Sequence, residues 1–279
     1  MQQGRLAGKV AFITGIARGQ GRSHALRLAA EGADVIGVDL CAQLDSVGYP
    51  MSTPGDLAET IAQVEALDRR IVAAQADVRD PDSMRTVLKR GIDGLGRLDF
   101  VIANAGVMPI WGRGAQTMQA WHDCLDVLLT GVLNTVELTY PVLRDQGEGG
   151  SIVITSSMAA LAPMMRTEDS HTLGLLGYSA AKSALANLAK NYASILAAHR
   201  IRVTSIHPTG VDTPMINHEV SRTRFAHAHE EDLRALVNAI PVTRVDPADI
   251  SDAVLWLCSD DSRYFTGAVL RIDAGAGLR

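Results

Sequence analysis

The sequence has few cysteines, and they are scattered. Cys41, Cys124 and Cys258 each stand alone, without the close spacing that metal-binding cysteines show. They are typical of reduced thiols in a cytosolic protein, so we expect a cytoplasmic location. The eight histidines show no ligand-like clustering, and we interpret His227 and His229, in a polar stretch, as surface residues. The sequence therefore predicts no metal site.

A long hydrophobic run and a basic block are also lacking. No stretch approaches the roughly 18 apolar residues that span a bilayer, and the polar segment Met1–Gly8 is not expected to be a signal peptide. Lysine and arginine number 26, against 31 aspartates and glutamates, for a net charge of −5. This balance gives no support to a nucleic-acid-binding role. We expect neither a membrane nor a nucleic acid among the partners.

What is present is enough apolar sequence for one substantial core. Of the 279 residues, 47% are hydrophobic, and α/β folds often reach this length without splitting. Short apolar runs alternate with segments of helical period, which is the pattern of a parallel sheet covered by helices on both faces. The sequence predicts one domain over residues 1–279, an α/β Rossmann-like, doubly wound parallel sheet of about seven strands.

The predicted elements follow one another with one long interruption. The strands are Lys9–Thr14, Asp34–Asp39, Arg70–Gln75, Leu98–Ala103, Ser151–Thr155, Ile201–His207 and Ala268–Ile272. The helices are Gly19–Glu31, Asp56–Leu67, one that Asp80 caps with Pro81 at its first position, Thr117–Arg144, one through Tyr178 to about Ala198, and one from Asp246 to about Cys258. The interruption, Leu40–Gly55, is about 16 residues long, against roughly two to six in such folds, and is expected to be functional.

A glycine-rich turn joins the first predicted strand to the first helix. Gly15, Gly19 and Gly21 allow the backbone to approach a pyrophosphate, whose charge is met by the helix N-terminus. Asp39 closes the next strand, where a carboxylate accepts hydrogen bonds from ribose hydroxyls and repels a 2′-phosphate. Arg18 is either a phosphate ligand or a solvated turn residue. The acid at the strand end is the stronger discriminator, so the sequence favours NAD over NADP.

Tyr178 and Lys182 lie four residues apart, on one face of a predicted helix. An ammonium beside a phenol stabilises the phenolate, so we expect the pKa of Tyr178 to fall below its usual value of about 10. A tyrosine tuned in this way exchanges a proton with an alcohol or a carbonyl. Many helices carry such a pair by chance, but together with the dinucleotide-binding turn it indicates general acid/base chemistry.

These features together resemble the short-chain dehydrogenase/reductase family over essentially the whole chain. The matching motifs are Thr14-Gly15-x-x-x-Gly19-x-Gly21, Asn104-Ala105-Gly106, the set Ser157, Tyr178 and Lys182, and Pro208-Thr-Gly-Val-Asp-Thr213. Within the family, the chain most resembles a carveol dehydrogenase-like branch. That branch is associated in actinobacteria with the peptide redox cofactor mycofactocin. The motifs that carry this resemblance are Gly19-Gln-Gly-Arg-Ser-His24, the loop after Asp39, His207-Pro-Thr-Gly-Val-Asp-Thr-Pro-Met215 and Asp249-Ile-Ser-x-Ala-Val-Leu-Trp256.

The resemblance implies a role for each matching residue. Tyr178 would be the general acid/base, Lys182 would hold the nicotinamide ribose, and Ser157 would hydrogen-bond the substrate oxygen. Asp77 and Val78 would border the adenine, with Asp77 facing its exocyclic amine, while Val211 and Thr213 would meet the carboxamide. The implied cofactor-binding set is Gly15, Arg18, Gly19, Gln20, Gly21, Asp39, Leu40, Asp77, Val78, Asn104, Ala105, Gly106, Tyr178, Lys182, Pro208, Val211 and Thr213. The resemblance also implies a homotetramer, joined through residues 117–144 and 178–198 and around the last strand.

The chain departs from the family pattern at Leu128. The family has an asparagine there, which implies a bound water linking the lysine to solvent, and leucine has no hydrogen-bonding group. Asn134 lies about 240° away around the helix and is interpreted as a structural polar residue. A second departure is the segment 158–177, which is longer than the family's usual spacing before the tyrosine and forms either a lid or a surface loop.

Three functions are consistent with these residues. The first is NAD-dependent interconversion of a secondary alcohol, such as a carveol-like terpenoid, and its ketone. The second, motivated by Leu128, is an NAD-binding sensor or oligomer partner with weak or no catalysis. The third keeps catalysis but retains NAD beneath the Leu40–Gly55 loop, with mycofactocin or a dye as electron acceptor. Residues available either for an apolar substrate pocket or for core packing are Trp111, Met164, Met165, Met215 and Phe225.

Overall fold

Parallel strands along the whole chain pair into one sheet. The computed structural model describes residues 4–164, 167–226, 237–276 and 278. Within them, seven strands pair in the order β3-β2-β1-β4-β5-β6-β7. They are β1 Val10–Thr14, β2 Asp34–Asp39, β3 Ile71–Gln75, β4 Phe100–Ala103, β5 Gly150–Thr155, β6 Ile201–Pro208 and β7 Val269–Ile272. The predicted doubly wound sheet is confirmed.

Helices cover both faces of this sheet. They are α1 Gly19–Ala30, α2 Pro54–Glu65, α3 Pro81–Leu95, α4 Met118–Cys124, α5 Gly131–Gln146, α6 Leu173–Leu196, α7 Glu219–Ala226 and α8 Pro247–Cys258. One buried apolar layer joins α3, α5 and α6 to the sheet, and a second joins α1, α2 and α8 to the opposite face. Alternate strand residues enter the two layers, Phe12 the first and Ile13 the second, because side chains alternate along a strand.

Three helical segments differ from the sequence prediction. Helix α2 begins at Pro54 rather than Asp56, because Thr53 and Asp56 form a reciprocal capping box. The predicted helix Thr117–Arg144 is helical but not uniform: a π-helical turn, Leu125–Thr130, separates α4 from α5. Helix α7 follows β6 and was not predicted.

The described residues contain no helix long and apolar enough to cross a membrane. They also hold no cluster of three or more histidine, cysteine or acidic side chains placed to bind a metal ion. Cys41, Cys124 and Cys258 are buried free thiols. Burial raises the pKa of the Cys258 thiol to about 12, so this thiol stays protonated at neutral pH. His227 and His229 lie outside the described residues.

Candidate active site

A groove opens at the carboxyl ends of β1 and β4, where the strand order reverses. This is the position at which open α/β sheets bind their ligands. Residues predicted to bind a cofactor make up much of its lining: Gly15, Arg18, Gly19, Gln20, Gly21, Asp39, Leu40, Asp77, Val78, Asn104, Ala105, Gly106 and Thr213. The other lining residues were not predicted from the sequence to bind the cofactor. They are Tyr49, Met51, Ser52, Ala76, Val107, Val127, Pro214 and Met215.

The N-terminus of α1 faces this groove without a capping side chain. Arg18 is the N-cap residue and makes no side-chain capping bond, and the first turn contains no acidic residue. The free N–H groups and the helix dipole therefore favour an anion. Two glycines allow the backbone of this turn to pack closely: a Cβ on Gly15 would lie 2.8 Å from the Ala105 Cα, and one on Gly21 would lie 1.9 Å from the Gly15 carbonyl oxygen.

Asn104 ties the ends of β1 and β4 together beneath the turn. Its Nδ2 donates to the Thr14 carbonyl oxygen at 3.1 Å, and its backbone N–H donates to the Thr14 hydroxyl, also at 3.1 Å. These bonds give Asn104 a structural role in addition to its place in the lining. Gln20, also in the lining, has a buried Oε1 with no hydrogen-bond partner. An unpaired buried acceptor fits a groove that receives a ligand rich in hydroxyl and amide donors.

Asp39 lies buried at the end of β2 and already holds the backbone around it. Its carboxylate accepts from the Ala17 N–H at 2.9 Å, from the Cys41 N–H at 3.1 Å and from the Ser52 hydroxyl at 2.5 Å. Arg18 reaches across to donate to the Pro50 carbonyl oxygen. Arg18 is therefore not a freely solvated turn residue, since its guanidinium joins the glycine turn to the loop that follows β2.

The loop of residues 40–53, which we call the β2 loop, closes one side of the groove. Tyr49 accepts a 3.1 Å hydrogen bond from the Met108 N–H, and its ring stacks on His218 with centroids 5.1 Å apart. The Trp111 ring packs edge-to-face against the same histidine ring, with the two centroids also 5.1 Å apart. These contacts pin the β2 loop to the segments that follow β4 and β6. The length of the loop was the only sequence signal for this function.

A chain of polar contacts anchors the same loop near Asp77. The Ser46 hydroxyl donates a 2.5 Å hydrogen bond to the Asp123 carboxylate, and a guanidinium nitrogen of Arg79 lies 3.6 Å from the same carboxylate. The Arg79 guanidinium also donates two hydrogen bonds to the Asp77 carboxylate. Burial raises the pKa of Asp77, but the hydrogen bonds from Arg79 outweigh it, and the net shift is downward. The Asp77 carboxylate is thus held charged at the wall of the groove. Its predicted contact with an adenine amine stays a prediction.

The predicted catalytic residues converge beside the inner end of the groove. Ser157 follows β5, and its Oγ accepts a 3.1 Å hydrogen bond from the Ala159 N–H. Lys182 is 4% exposed, and its Nζ lies 5.8 Å from the centroid of the Tyr178 ring. The Nζ donates a 2.6 Å bond to the Thr155 carbonyl oxygen. A Cβ on Gly106, in the groove wall, would lie 4.0 Å from the same Nζ, which places Lys182 next to the groove, although none of the three side chains is among the residues that line it.

The electrostatics of Tyr178 differ from the sequence prediction. Burial raises the pKa of Tyr178, and a hydrogen bond with the Ser157 side chain opposes the rise without cancelling it. Burial also lowers the pKa of Lys182 to about 8. The expectation that Lys182 brings the phenol pKa below its usual value was wrong, because both side chains lie in the apolar interior, where desolvation disfavours charge on each. The phenol is therefore protonated at neutral pH.

Leu128 occupies the π-helical turn and is fully buried in an apolar contact. Its Cδ2 would lie 3.0 Å from a Cβ on Gly106, so the leucine packs against the groove wall beside Lys182. Asn134 points elsewhere, as predicted from helical geometry, and its Nδ2 donates to the Val78 carbonyl oxygen at 2.9 Å. Asn134 thus supports the backbone of a groove residue and does not replace the missing amide.

Only some residues of the segments that flank the site line the groove. In the described part of the chain, Thr213 and Met215 line the groove, whereas Pro208 ends β6 and Val211 forms a bridge with Val245, both outside the lining. Residues 173–177 of the long segment before Tyr178 are the first residues of α6, with Thr172 as their cap. Met164 is partly buried against the first apolar layer. Met165, Arg166 and the side chain of Phe225 lie outside what the structure describes.

Fold and site together define a dinucleotide-dependent oxidoreductase. A family model described as enoyl-(acyl carrier protein) reductase matches residues 15–277. The chain belongs to the short-chain dehydrogenase/reductase family.

Relatives within the family are similar over nearly their whole length. A (−)-trans-carveol dehydrogenase of Rhodococcus erythropolis is 42% identical over 284 residues, 99% of each chain. The crystal structure of carveol dehydrogenase from Mycobacterium avium in complex with NAD is 43% identical, with a TM-score of 0.90 over 99% of this chain and 100% of that one. A short chain dehydrogenase from Mycobacterium paratuberculosis, crystallised bound to NAD, is 42% identical with the same TM-score and coverage.

Proposed function

We propose that the protein is an NAD-dependent oxidoreductase that interconverts a secondary alcohol and its ketone. The observation that carries this proposal is the convergence of Ser157, Tyr178 and Lys182 beside a groove that an uncapped helix N-terminus helps to line. NAD, when bound, supplies the hydride acceptor or donor. The protein supplies position and the proton.

Each catalytic side chain has a distinct task. Tyr178, protonated at neutral pH, donates its proton to a ketone oxygen, or takes it back from the alcohol in the reverse direction. Ser157 hydrogen-bonds the same oxygen and stabilises the negative charge that develops on it. Lys182, held by the Thr155 carbonyl, keeps a positive charge near the phenol and the nicotinamide ribose.

The groove favours NAD over NADP at Asp39. A buried carboxylate at the end of β2 accepts from ribose hydroxyls and repels a 2′-phosphate. Its three contacts with the protein, from Ala17, Cys41 and Ser52, fix its position before any ligand arrives. Two relatives with the same fold are complexes with NAD.

The substrate is a small apolar alcohol of the terpenoid kind. Met108, Trp111 and Met158 are buried apolar side chains in the segments that follow β4 and β5, and Met215 lines the groove. Apolar side chains in the segments next to Ser157 would favour a substrate with one polar oxygen, for which Ser157 and Tyr178 provide the partners. Carveol is the first probe, because a relative is named for it. Formation of NADH absorbance on mixing protein, NAD and carveol or another cyclic secondary alcohol tests the proposal, and its absence across the panel contradicts it.

The alternative of an NAD-binding protein with weak catalysis rests on Leu128, and Leu128→Asn separates the two. We expect Leu128→Asn to lower the free energy of unfolding by about 1–3 kcal/mol, since it buries an amide in an apolar contact. We expect no large rise in kcat, because Lys182 already has the Thr155 carbonyl as partner. Leu143→Asn, at another fully buried position, is the matched control for stability. A rise of tenfold or more in kcat, in the Leu128 variant alone, would favour the weak-catalysis alternative.

A second possibility is that the protein retains its NAD between turnovers, and the contacts of the β2 loop favour it. The β2 loop contributes Tyr49, Met51 and Ser52 to the groove wall and is anchored by Ser46 on Asp123. A nucleotide beneath such a loop leaves only when the loop opens. A protein that keeps its NAD needs an external electron acceptor. We propose mycofactocin as that acceptor because the chain resembles the carveol dehydrogenase-like branch.

Ser46→Ala tests this retention. The bond to a buried carboxylate contributes about 1.5–3 kcal/mol, so we expect bound NAD to exchange with labelled NAD at least about tenfold faster in the variant. Ser151→Ala is the control: it removes a buried hydrogen bond from Ser151 on β5 to the Leu257 carbonyl oxygen on α8, and we expect it to leave exchange unchanged. Exchange in the unaltered protein that is complete within the mixing time would contradict retention.

The proposed assembly is a homotetramer in the cytoplasm. Leu133 on α5 and Ile195 on α6 are apolar side chains exposed by 39% and 66% in the single chain, on helices for which the resemblance implies subunit contacts. Light scattering coupled to size-exclusion chromatography measures the mass. A particle of the 29.7 kDa chain mass would contradict the tetramer.

A further inference from the structure

His207 is a buried titratable residue to which the proposed mechanism gives no task. It is the last residue but one of β6 and is fully buried. One ring nitrogen, Nδ1, lies 3.0 Å from the Ser157 carbonyl oxygen, and the other, Nε2, lies 2.9 Å from the Ser205 hydroxyl. The ring therefore connects the interior of β6 directly to the backbone of the predicted catalytic serine.

The partners define the tautomer of this histidine. A carbonyl oxygen only accepts, so Nδ1 carries the proton and donates to Ser157, while Nε2 accepts from the Ser205 hydroxyl. Burial lowers the pKa of His207; the Ser157 carbonyl opposes the shift, and the charged groups Lys182 and Arg271 add to it. His207 is thus a neutral ring with one fixed donor, aimed at Ser157.

This bond begins where the backbone pairing of β5 with β6 stops. The last ladder bond runs from the Ser156 N–H to the Ile206 carbonyl oxygen at 2.8 Å. One residue further on, the His207 side chain replaces the backbone as the link. The Ser157 carbonyl also accepts from the Ala160 N–H at 3.1 Å, which closes the turn on which the serine Oγ sits.

We propose that His207 is the positioning residue for Ser157. By holding the Ser157 carbonyl from β6, it fixes the backbone at Ser157 so that the hydroxyl meets both Tyr178 and the substrate oxygen. The inference rests on the proposed function for its kinetic consequence. Its structural consequence, the Ser157–Tyr178 contact, exists whether or not the protein turns over an alcohol.

A matched pair of variants isolates the donor. His207→Asn places an amide N–H near the position of Nδ1, whereas His207→Leu has similar volume and no donor. With carveol as the probe, we expect His207→Leu to lower kcat by about 10- to 100-fold, as misplacement of a reacting group does. We expect the KM for NAD to be unchanged, and His207→Asn to recover most of the loss.

The second readout needs no turnover. The hydrogen bond with Ser157 opposes the upward shift in the pKa of Tyr178, so His207→Leu raises that pKa further. The tyrosinate absorbance of each variant, minus that of its Tyr178→Phe partner, isolates this one phenol. The titratable groups around Tyr178 are Lys182, Cys124 and Tyr49, and all three are the same in every variant.

A substitution at His24 is the control that distinguishes a positioning role for His207 from a contribution to core stability alone. It is also fully buried, with Nδ1 2.8 Å from the Ser251 hydroxyl, but it lies where α1 packs on α8. We expect His24→Leu to lower the melting temperature and to leave both kcat and the Tyr178 titration unchanged. If His207→Leu does the same, the inference is overturned.

The remaining outcomes are equally decisive. If the unaltered protein oxidises no alcohol but the Tyr178 titration still shifts in His207→Leu, the proposed function fails and the positioning role stands. If His207→Leu does not fold, His207→Met, whose flexible side chain also lacks an N–H donor, is measured by both readouts. An unchanged kcat and an unchanged Tyr178 pKa in that variant would overturn the inference.

Discussion

Replacing Tyr178 with phenylalanine is expected to lower kcat by about 10²- to 10⁴-fold, the usual contribution of a positioned general acid or base. The substitution removes one hydroxyl from a buried ring and leaves the groove lining intact, so NAD affinity should change by less than about twofold. Steady-state kinetics with carveol as the probe, together with NAD titration followed by protein fluorescence, measure the two quantities separately.

Tyr192→Phe is the control for this substitution. Tyr192 lies on the same helix, is buried to a similar degree, and loses only its bond to Glu137. We expect its kcat to stay within about threefold of the unaltered protein, since it lies away from the groove. Full turnover in Tyr178→Phe would show that another group carries the proton.

The same phenol sets the sign of the pH dependence. Because its pKa is raised, Tyr178 is protonated at neutral pH and ready to donate to a ketone. Alcohol oxidation needs the phenolate, so its rate should increase as the pH rises, while ketone reduction loses its proton donor. Lys182, with a pKa lowered to about 8, loses its charge over part of the same range, which flattens the increase.

Asp39→Asn is expected to raise the KM for NAD by about 10- to 100-fold and to remove the discrimination against NADP. The carboxylate is a charged acceptor for ribose hydroxyls, and such bonds contribute about 1.5–3 kcal/mol. The amide keeps the volume but not the charge, so the repulsion of a 2′-phosphate disappears with it. Parallel kinetics with NAD and NADP give the ratio of kcat/KM for the two cofactors.

Asp34→Asn controls for the loss of a buried acid on the same strand. Asp34 lies at the opposite end of β2, where it accepts from the Arg70 backbone and guanidinium. Its replacement should lower stability without changing the preference for NAD. An Asp39→Asn protein that still rejects NADP as strongly as the unaltered one would mean that other groups choose the cofactor.

The sheet was predictable because its signals are local. Buried parallel strands appear as short apolar runs, and each predicted strand is present with its end shifted by at most two residues. Helix α3 begins where Asp80 and Pro81 predicted, since a cap and a first-turn proline act within a few residues. The start of α2 was missed by two residues because the Thr53–Asp56 capping box was not recognised.

The site was less predictable where it depends on contacts between distant segments. The glycine turn and Asp39 carry their own signal, but the bonds from Ser46 to Asp123 and from His207 to Ser157 join residues 77 and 50 positions apart. The π-helical turn at Leu128 has no repeat that distinguishes it from an α-helix. The pKa of Tyr178 was predicted with the wrong sign, because spacing places Lys182 nearby and does not reveal how deeply both groups are buried.

Hydride transfer from a secondary alcohol to NAD is the central claim, and isotope transfer tests it most directly. The protein is incubated with NAD and carveol that carries deuterium on the carbinol carbon, and the nicotinamide is analysed by mass spectrometry. The proposed function predicts one deuterium in the nicotinamide for each ketone formed, and the same ratio at a rate about 10²- to 10⁴-fold lower in Tyr178→Phe. Ketone that forms without deuterium in the nicotinamide would contradict it.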